Sequence, residues 1–269
     1  MKKCIGCLLT IFVAVSLTAS NASALGPIGF VDSIGKGFSL GAGYFYDQDK
    51  LKPKEDGFPD IKVRQNVGYV QAAYGMDRAA FYVRLGGADF KGKLLDVNED
   101  FDTIKDGMKP FGTAGVNVSF FKTNGFSVGA FAQGSYVFGD YKDEYSTSGS
   151  RATPYGVATG TDTTEVKVKN MWNVTLGLTG QVKAGPVIIY GGPFAYWTHA
   201  KVEAEVTSTG TLAGMTGTIT TSADSKYTEK GNFGGFLGVA FQATKALTIG
   251  VEGQLRKELS VGANISYAF

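Results

Sequence analysis

The chain ends Leu259-Ser260-Val261-Gly262-Ala263-Asn264-Ile265-Ser266-Tyr267-Ala268-Phe269. Taken in twos, Val261, Ala263, Ile265, Tyr267 and Phe269 share one face, and Ser260, Gly262, Asn264, Ser266 and Ala268 share the other. A strand alternates its faces with period two, so this spacing predicts a strand with one apolar side and one small, polar side. An exposed apolar strand at the edge of a water-soluble sheet invites aggregation. Closing the sheet into a barrel removes the edge, and lipid accepts the apolar side.

The same alternation recurs along the chain. It predicts strands over about 38–46, 63–74, 79–88, 112–121, 126–138, 164–182, 186–198, 232–242 and 247–256, ahead of the terminal one. Asn124-Gly125 is a strong hairpin signal between two of them. Pro193, after Gly191-Gly192, lacks a ladder donor and predicts a bulge. The connections alternate in length. Residues 47–62, 89–111 and 139–163 read as long loops, rich in charge or in Gly, Ser and Thr; 199–231 reads as an extended hairpin projecting outward. Residues 75–78, 122–125, 183–185 and 243–246 read as short turns, and only 257–258 breaks the pattern. Short turns at one end and long loops at the other are the habit of membrane-spanning barrels.

The aromatic residues follow the same two ends. Beside the short turns and chain ends lie Phe38, Tyr74, Phe81, Phe120, Phe126, Phe241, Tyr267 and Phe269. Towards the long loops lie Tyr44, Tyr46, Tyr136, Phe138, Trp172, Trp197 and Phe233, on the same face. Aliphatic residues and Gly fill the space between, so the pattern predicts two aromatic girdles around an apolar band. A soluble sandwich would bury its large residues mid-strand. The predicted fold is therefore all-β: a closed antiparallel transmembrane β-barrel of about ten strands, with eight or twelve as alternatives.

The other end of the chain reads as an address. Lys2 and Lys3, an apolar run from Ile5 to Leu17, and Ala22-Ser23-Ala24 predict a signal peptide over 1–24, leaving a barrel domain over 25–269. Both cysteines, Cys4 and Cys7, lie in that leader, so the mature chain can form no disulfide. Removing Lys2 and Lys3 from 26 basic residues leaves 24 against 24 acidic ones, and no basic field points to nucleic acid.

The terminal strand resembles that of bacterial outer-membrane β-barrels, which end in an aromatic residue after alternating aromatic and aliphatic ones. Phe269, Tyr267, Ile265 and Val261 carry the match. The resemblance implies that these four form the signal read by the outer-membrane assembly machinery. It covers nearly the whole mature chain and is broadest with small opacity-type and outer-membrane protein A-like barrels. Implied with it are a Gram-negative outer-membrane location, periplasmic termini, and lipid and lipopolysaccharide as surroundings. Four long surface loops would then contact an extracellular ligand in an adhesin-like role; a narrow porin-like channel is the alternative.

Residues for catalysis are few. His199 is the only histidine. The omptin surface proteases, ten-stranded barrels, use His-Asp and Asp-Asp pairs, and lipid A deacylase barrels place Ser two positions after the His. Here the run is Thr198-His199-Ala200-Lys201, so both patterns fail and His199 reads as an interfacial residue beside Trp197. Neither a cofactor nor a metal site is expected, since the mature chain has one His and no Cys; Asp140, Asp143 and Glu144 read as a solvated loop face. Alternation points Gln71, Arg84, Gln133, Glu252, Gln254 and Arg256 into the lumen, with Tyr69, Tyr82, Asn173 and Asn264. Buried charge must be paired, so Glu252 is expected to meet Arg84 across the lumen or Arg256 along its own strand. The set forms either a hydrogen-bonded plug or the lining of a narrow pore. The inward Gly41, Gly43, Gly177 and Gly250 leave room either for water or for large neighbours such as Phe45, Tyr69 and Tyr82.

Overall fold

A computed structural model describes residues 37–54, 60–94, 103–154, 156–213, 215–229 and 232–269; the leader over 1–24 lies outside them. The described residues form twelve strands: β1 (Gly37–Pro53), β2 (Ile61–Gly75), β3 (Ala79–Leu94), β4 (Thr103–Lys122), β5 (Phe126–Val137) and β6 (Tyr141–Thr153), then β7 (Gly156–Ala184), β8 (Val187–Leu212), β9 (Met215–Glu229), β10 (Phe233–Gln242), β11 (Leu247–Leu255) and β12 (Leu259–Ala268). Ten of them close a ring, β1-β2-β3-β4-β5-β7-β8-β10-β11-β12, with every neighbouring pair antiparallel. The fold is a closed antiparallel β-barrel. β6 pairs with the first half of β7, and β9 with the second half of β8; these two raise a sheet above one rim.

The terminal strand closes the ring. β12 pairs with β1 from Ser39↔Ala268 to Tyr46↔Val261. The N–H of Phe269 donates to the carbonyl of Phe38 at 3.0 Å, and their rings stack at 5.9 Å. Its facing is the one the alternation predicts: Ile265 is 45% exposed and Ser260 fully buried. Around the barrel the outward aliphatics are bare in the same way, Val70, Val83, Leu85, Leu178, Leu237 and Ile249 among them. The girdle residues are outward too, with Tyr46 half-buried.

Three of the predicted loops are largely strand. β1 and β2 continue through 47–53 and 61–62, β3 and β4 through 89–94 and 103–111, and 139–163 folds as the β6–β7 hairpin. The charges there do not interrupt a strand: Lys50, Lys52, Lys62, Lys91 and Lys93 lie on the outer face, while Leu51, Ile61, Phe90 and Ile104 point inward and are buried, as are Asp47 and Asp49. Pro53 is tolerated as the last residue of β1. The predicted outward hairpin over 199–231 is present as β8–β9, paired from His199↔Thr228 to Leu212↔Met215.

The bulge expected at Pro193 is not there. β10 pairs through Gly235↔Pro193 without a shift, and β7 keeps one register on either side, at Gly177↔Phe194 and Gly180↔Gly191. The missing proline N–H is absorbed instead as a gap in the β7 ladder opposite Gly192 and Pro193. The bulge of this strand pair lies at Asn170–Met171, where the register shifts between Lys169↔Lys201 and Trp172↔His199. Asn170 takes φ 51°, a left-handed conformation that Asn adopts more readily than most residues.

Candidate functional site

The lumen is filled with side chains in layers. In its middle, Arg84 of β3 donates from Nε to Gln71 Oε1 at 2.7 Å and from a terminal nitrogen to Gln133 Oε1 at 3.5 Å. Its guanidinium lies over the rings of Tyr82 at 4.5 Å and Tyr69 at 5.2 Å. Tyr82 donates to Gln133 at 2.8 Å. From the opposite wall Glu252 of β11 accepts from Gln254 Nε2 at 2.8 Å and from the hydroxyl of Tyr190. Tyr69, Tyr82 and Tyr190 each feel both the Arg84 and the Glu252 charge, so the two ions share one cluster. Arg256 takes another place. Its guanidinium sits over Tyr196 at 4.1 Å and Phe194 at 5.2 Å, which are themselves in contact at 5.8 Å. Asn173 donates to Thr198 Oγ1 at 3.0 Å and accepts from Thr175 at 2.9 Å.

The structure thus brings Gln71, Arg84 and Gln133 together, and joins Glu252 with Gln254. Arg256 is held by aromatic faces one layer outward. The six inward polar residues are all in the lumen, but they are only part of its content.

Towards the raised sheet the lumen is packed mainly with apolar side chains, among which Asp47, Asp49 and Gln65 are also fully buried. Phe45, Val63, Val67, Phe90, Phe111 and Tyr141 are buried at 1% exposure or less and belong to one cluster that also takes in Leu51, Ile61, Ile104 and Tyr227. Phe90 and Tyr141 stack at 4.9 Å, and Tyr141 donates to the carbonyl of Ala88 at 2.8 Å. Phe45 reads as inward in the sequence, and Val63 and Val67 lie in a predicted strand; Leu51, Ile61, Phe90, Ile104, Phe111 and Tyr141 were missed because they sit among charges in segments taken as loops. The alternation Ile61, Val63, Gln65, Val67 was a usable signal, since all four prove buried.

Glycines make the filling possible. A Cβ on Gly43 would lie 2.3 Å from the Tyr69 hydroxyl, one on Gly115 2.2 Å from the Tyr82 ring, and one on Gly238 2.1 Å from the Tyr190 ring. Phe45 lies over Gly262 and Phe131 over Gly177 in the same way. Room is left on one strand for the aromatic of another, which decides between water and large neighbours at Gly43 and Gly177. Gly41 instead lies against the Ile265 carbonyl and Ser266, and Gly250 against Asn264.

On the outer face, His199 stacks on Trp172 across the strand pair at 5.6 Å rather than on Trp197 two residues before it. The row after it brings Lys169, Lys201 and Lys226 side by side. Next come Lys142, Lys167, Glu203 and Asp224, then Glu144, Glu165, Glu205 and Ser222. Lys201 bridges Glu203 and Asp224 at 3.1 Å each, and Lys169 meets Glu203 at 2.6 Å. Hydrogen bonds from Lys169 and Lys201 hold the Glu203 carboxyl below the usual range, and those to Asp224 and Glu203 push the Lys201 ammonium up. Beyond them every row is Ser or Thr on all four strands: Ser146-Thr163-Thr207-Thr220, Ser148-Thr161-Thr209-Thr218 and Ser150-Thr159-Thr211-Thr216. Hydroxyls bond along these rows, as between Thr209 and Thr218 at 3.2 Å. On the opposite face one row is glycine throughout: Gly149, Gly160, Gly210 and Gly217.

Asp143 is less loosely solvated than its sequence context implies, because it accepts the N–H of Lys105 at 2.7 Å. Among the described residues, no three His, Cys, Asp or Glu side chains group as a metal site.

No protein-family model and no curated protein matches the chain. Solved structures similar in form include the translocator domain of the autotransporter NalP from Neisseria meningitidis, 14% identical over 89% of this chain and 91% of that one, with a TM-score of 0.38. The outer membrane protease OmpT from Escherichia coli is 10% identical over 91% and 100%, at 0.37. The CymD monoaromatic hydrocarbon channel is 8% identical over 91% and 94%, at 0.35. Identities and scores this low say nothing of what the chain does.

Proposed function

We propose that the chain is an integral outer-membrane barrel with a closed lumen, which works through the sheet and loops it raises outside the cell. The observation that carries the closed lumen is its filling: a charged and aromatic middle under an apolar layer, with Phe45 and Phe111 at 1% exposure or less. The membrane location rests on the outward aliphatic band between two aromatic girdles, a surface that water would not tolerate. The short turns and both termini then lie in the periplasm, and Phe269, Tyr267, Ile265 and Val261 present the assembly signal.

The role is non-enzymatic. His199, the only histidine, is spent on a stack with Trp172 at the interface. The raised sheet offers hydroxyls and ion pairs, which suits contact with an external partner over a surface. Planar-bilayer recording tests the reading. The purified barrel should give no steady open-channel current; a steady ohmic conductance would replace it with a narrow pore.

A further inference from the structure

The charges beyond the apolar band are not matched alike around the barrel. On β7 to β9 the lysines are neutralised: Lys167 meets Glu165 at 2.9 Å, Lys169 meets Glu203, and Lys201 meets Glu203 and Asp224. On β1 and β2, Lys50 and Lys62 share the carboxylate of Glu258 at 3.7 and 3.5 Å. Arg64, Lys91 and Lys105 are direct cross-strand neighbours on β2, β3 and β4, and all three are exposed. Among the described residues no carboxylate pairs with any of these side chains; Asp143 takes the backbone N–H of Lys105. Like charges set directly opposite destabilise a sheet.

Two local devices place the three cations together. Between Ala88↔Lys109 and Phe90↔Asp106, β4 spends two residues, Gly107 and Met108, against Asp89 of β3. That bulge leaves Ile104 buried and Lys105 outward beside Lys91. Arg64 is oriented by Gln48, itself 1% exposed: Nε donates to Gln48 Oε1 at 3.2 Å, and Gln48 donates to the Tyr46 hydroxyl. This uses Nε alone, so both terminal nitrogens remain for an oxyanion, the fork that suits phosphate. Asp89, two residues before Lys91, has its carboxylate taken up by the backbone and side-chain N–H groups of Asn66 at 2.5 and 2.7 Å.

Towards the apolar band the same wall is hollowed. Gly68 and Gly87 are paired directly, between Tyr44 on β1 and Met108 on β4. A Cβ on Gly68 would meet nothing within 4 Å. Next on that face come Val70 and Leu85, which with Leu40, Ala72 and Val83 line a shallow recess of about 270 Å³. Lys91 and Leu85 are about 20 Å apart along β3, which strand tilt reduces to about 15 Å of height. One leaflet with its headgroups spans about 20 Å, so a single lipid reaches both.

We propose that the β1–β4 wall binds a phosphorylated, acylated lipid of the outer leaflet, as lipopolysaccharide is. Arg64, Lys91 and Lys105 hold its phosphate, and an acyl chain lies over Gly68 and Gly87 into the recess. The outer-leaflet assignment rests on the placement proposed above. The bound phosphate turns repulsion among the three cations into attraction to one shared anion.

Titration of the purified full chain, folded in uncharged detergent micelles, with fluorescent diphosphoryl lipid A tests the site. Replacing Arg64, Lys91 and Lys105 together by Gln should weaken binding roughly tenfold or more, as lost charge-assisted hydrogen bonds do. Replacing Lys167, Lys169 and Lys201 by Gln removes the same charge from the neutralised face and should change binding less than about twofold. Equal losses in the two triple variants, or none in the first, overturn the proposal. Inorganic phosphate should not displace the lipid, and Gly68→Leu, which fills the notch, should weaken it. Displacement by phosphate, or full affinity in Gly68→Leu, overturns the acylated ligand. Lys91→Gln adds a readout of sign. It should unfold in urea no more easily than wild type in lipid-free micelles, where it relieves repulsion, and more easily once lipid A is present. A lower midpoint in both conditions makes Lys91 a structural residue and overturns its role. Micelles are blind to the leaflet, so Thr218→Cys, with Cys4→Ala and Cys7→Ala, is labelled on intact cells by an impermeant maleimide. Labelling without lipid A binding defeats the site alone; binding without labelling defeats the placement beneath it.

Discussion

Asp106 accepts the backbone N–H of Lys142 at 2.7 Å, and Asp143 returns the arrangement by accepting the N–H of Lys105 at 2.7 Å. β4 and β6 share no ladder here, so two carboxylates replace one. Burial pushes the Asp106 carboxyl up, but Lys109 at 2.9 Å and the N–H groups of Lys142 and Gly107 outweigh it and hold it below its usual value. A depressed carboxyl stabilises the fold above its unfolded pKa, and that stabilisation is lost as pH falls through the depressed value. Protection of the amides at the base of β6, taken relative to intrinsic exchange at the same pH, should therefore hold from neutral pH downward and fall only below about pH 4. Asp106→Asn should lower that protection at neutral pH and change little once the wild-type carboxyl is protonated; unchanged protection at neutral pH in that variant would mean the clamp holds nothing.

Ile265 is exposed on the outer face of β12, and the proposed placement turns it to lipid. Ile265→Arg should cost roughly 2–4 kcal/mol, as charge on the lipid face near the midplane does. Ile265→Leu should be close to neutral. Urea unfolding in lipid vesicles measures both, and an Arg variant as stable as the Leu variant would put residue 265 outside the membrane.

Glu252→Ala takes the acceptor from Gln254 and Tyr190 and leaves the Arg84 charge in the cluster. Each buried donor left without its acceptor costs about 1–3 kcal/mol, so a loss of that order should appear in vesicle unfolding. Conductance should stay low, because the apolar layer around Phe45 and Phe111 still closes the lumen. A stable Glu252→Ala barrel would mean that water, not the cluster, solvates this carboxylate.

Gly238→Ala puts a methyl where the Tyr190 ring lies. Overpacking of this kind typically costs about 1–3 kcal/mol. The double variant with Tyr190→Leu should recover part of the loss, read by the same unfolding assay. No recovery would show that the strain is not at that ring.

Deleting Phe269 should lower the amount of heat-modifiable, folded protein in the outer membrane. The deletion removes the last aromatic of the proposed assembly signal together with the Phe38 stack and the hydrogen bond that close the seam. Normal levels of folded protein would separate this chain from the barrels its terminal strand resembles.

Alternation made the barrel wall legible. Each face assigned to residues 260–269 agrees with burial, because a period of two leaves no freedom once one side meets lipid. Beyond the apolar band the same rule holds with charged residues on the outer face, so Lys50, Lys62 and Lys91 disguise strands as loops. Lumen polarity was legible residue by residue, but its partners were not. Whether Arg256 meets Glu252 or the faces of Tyr196 and Phe194 depends on neighbours brought in from β8, far away in sequence. The paired roles of Gly115 with Tyr82 and Gly238 with Tyr190 likewise exist only once strand register is known.

The bulge at Asn170 acts on β7 as an inserted letter acts on a reading frame. On the barrel side of it the outward positions are even, Trp172 and Val174; on the raised side they are odd, Lys169 and Lys167. Without that one extra residue, Val166 and Val168 would face the water and the lysines the apolar interior. The whole run of hydroxyls at Thr159, Thr161 and Thr163 would move to the other side of the sheet. A single left-handed asparagine therefore keeps two independently patterned halves of a 29-residue strand in phase, one written for lipid and one for water.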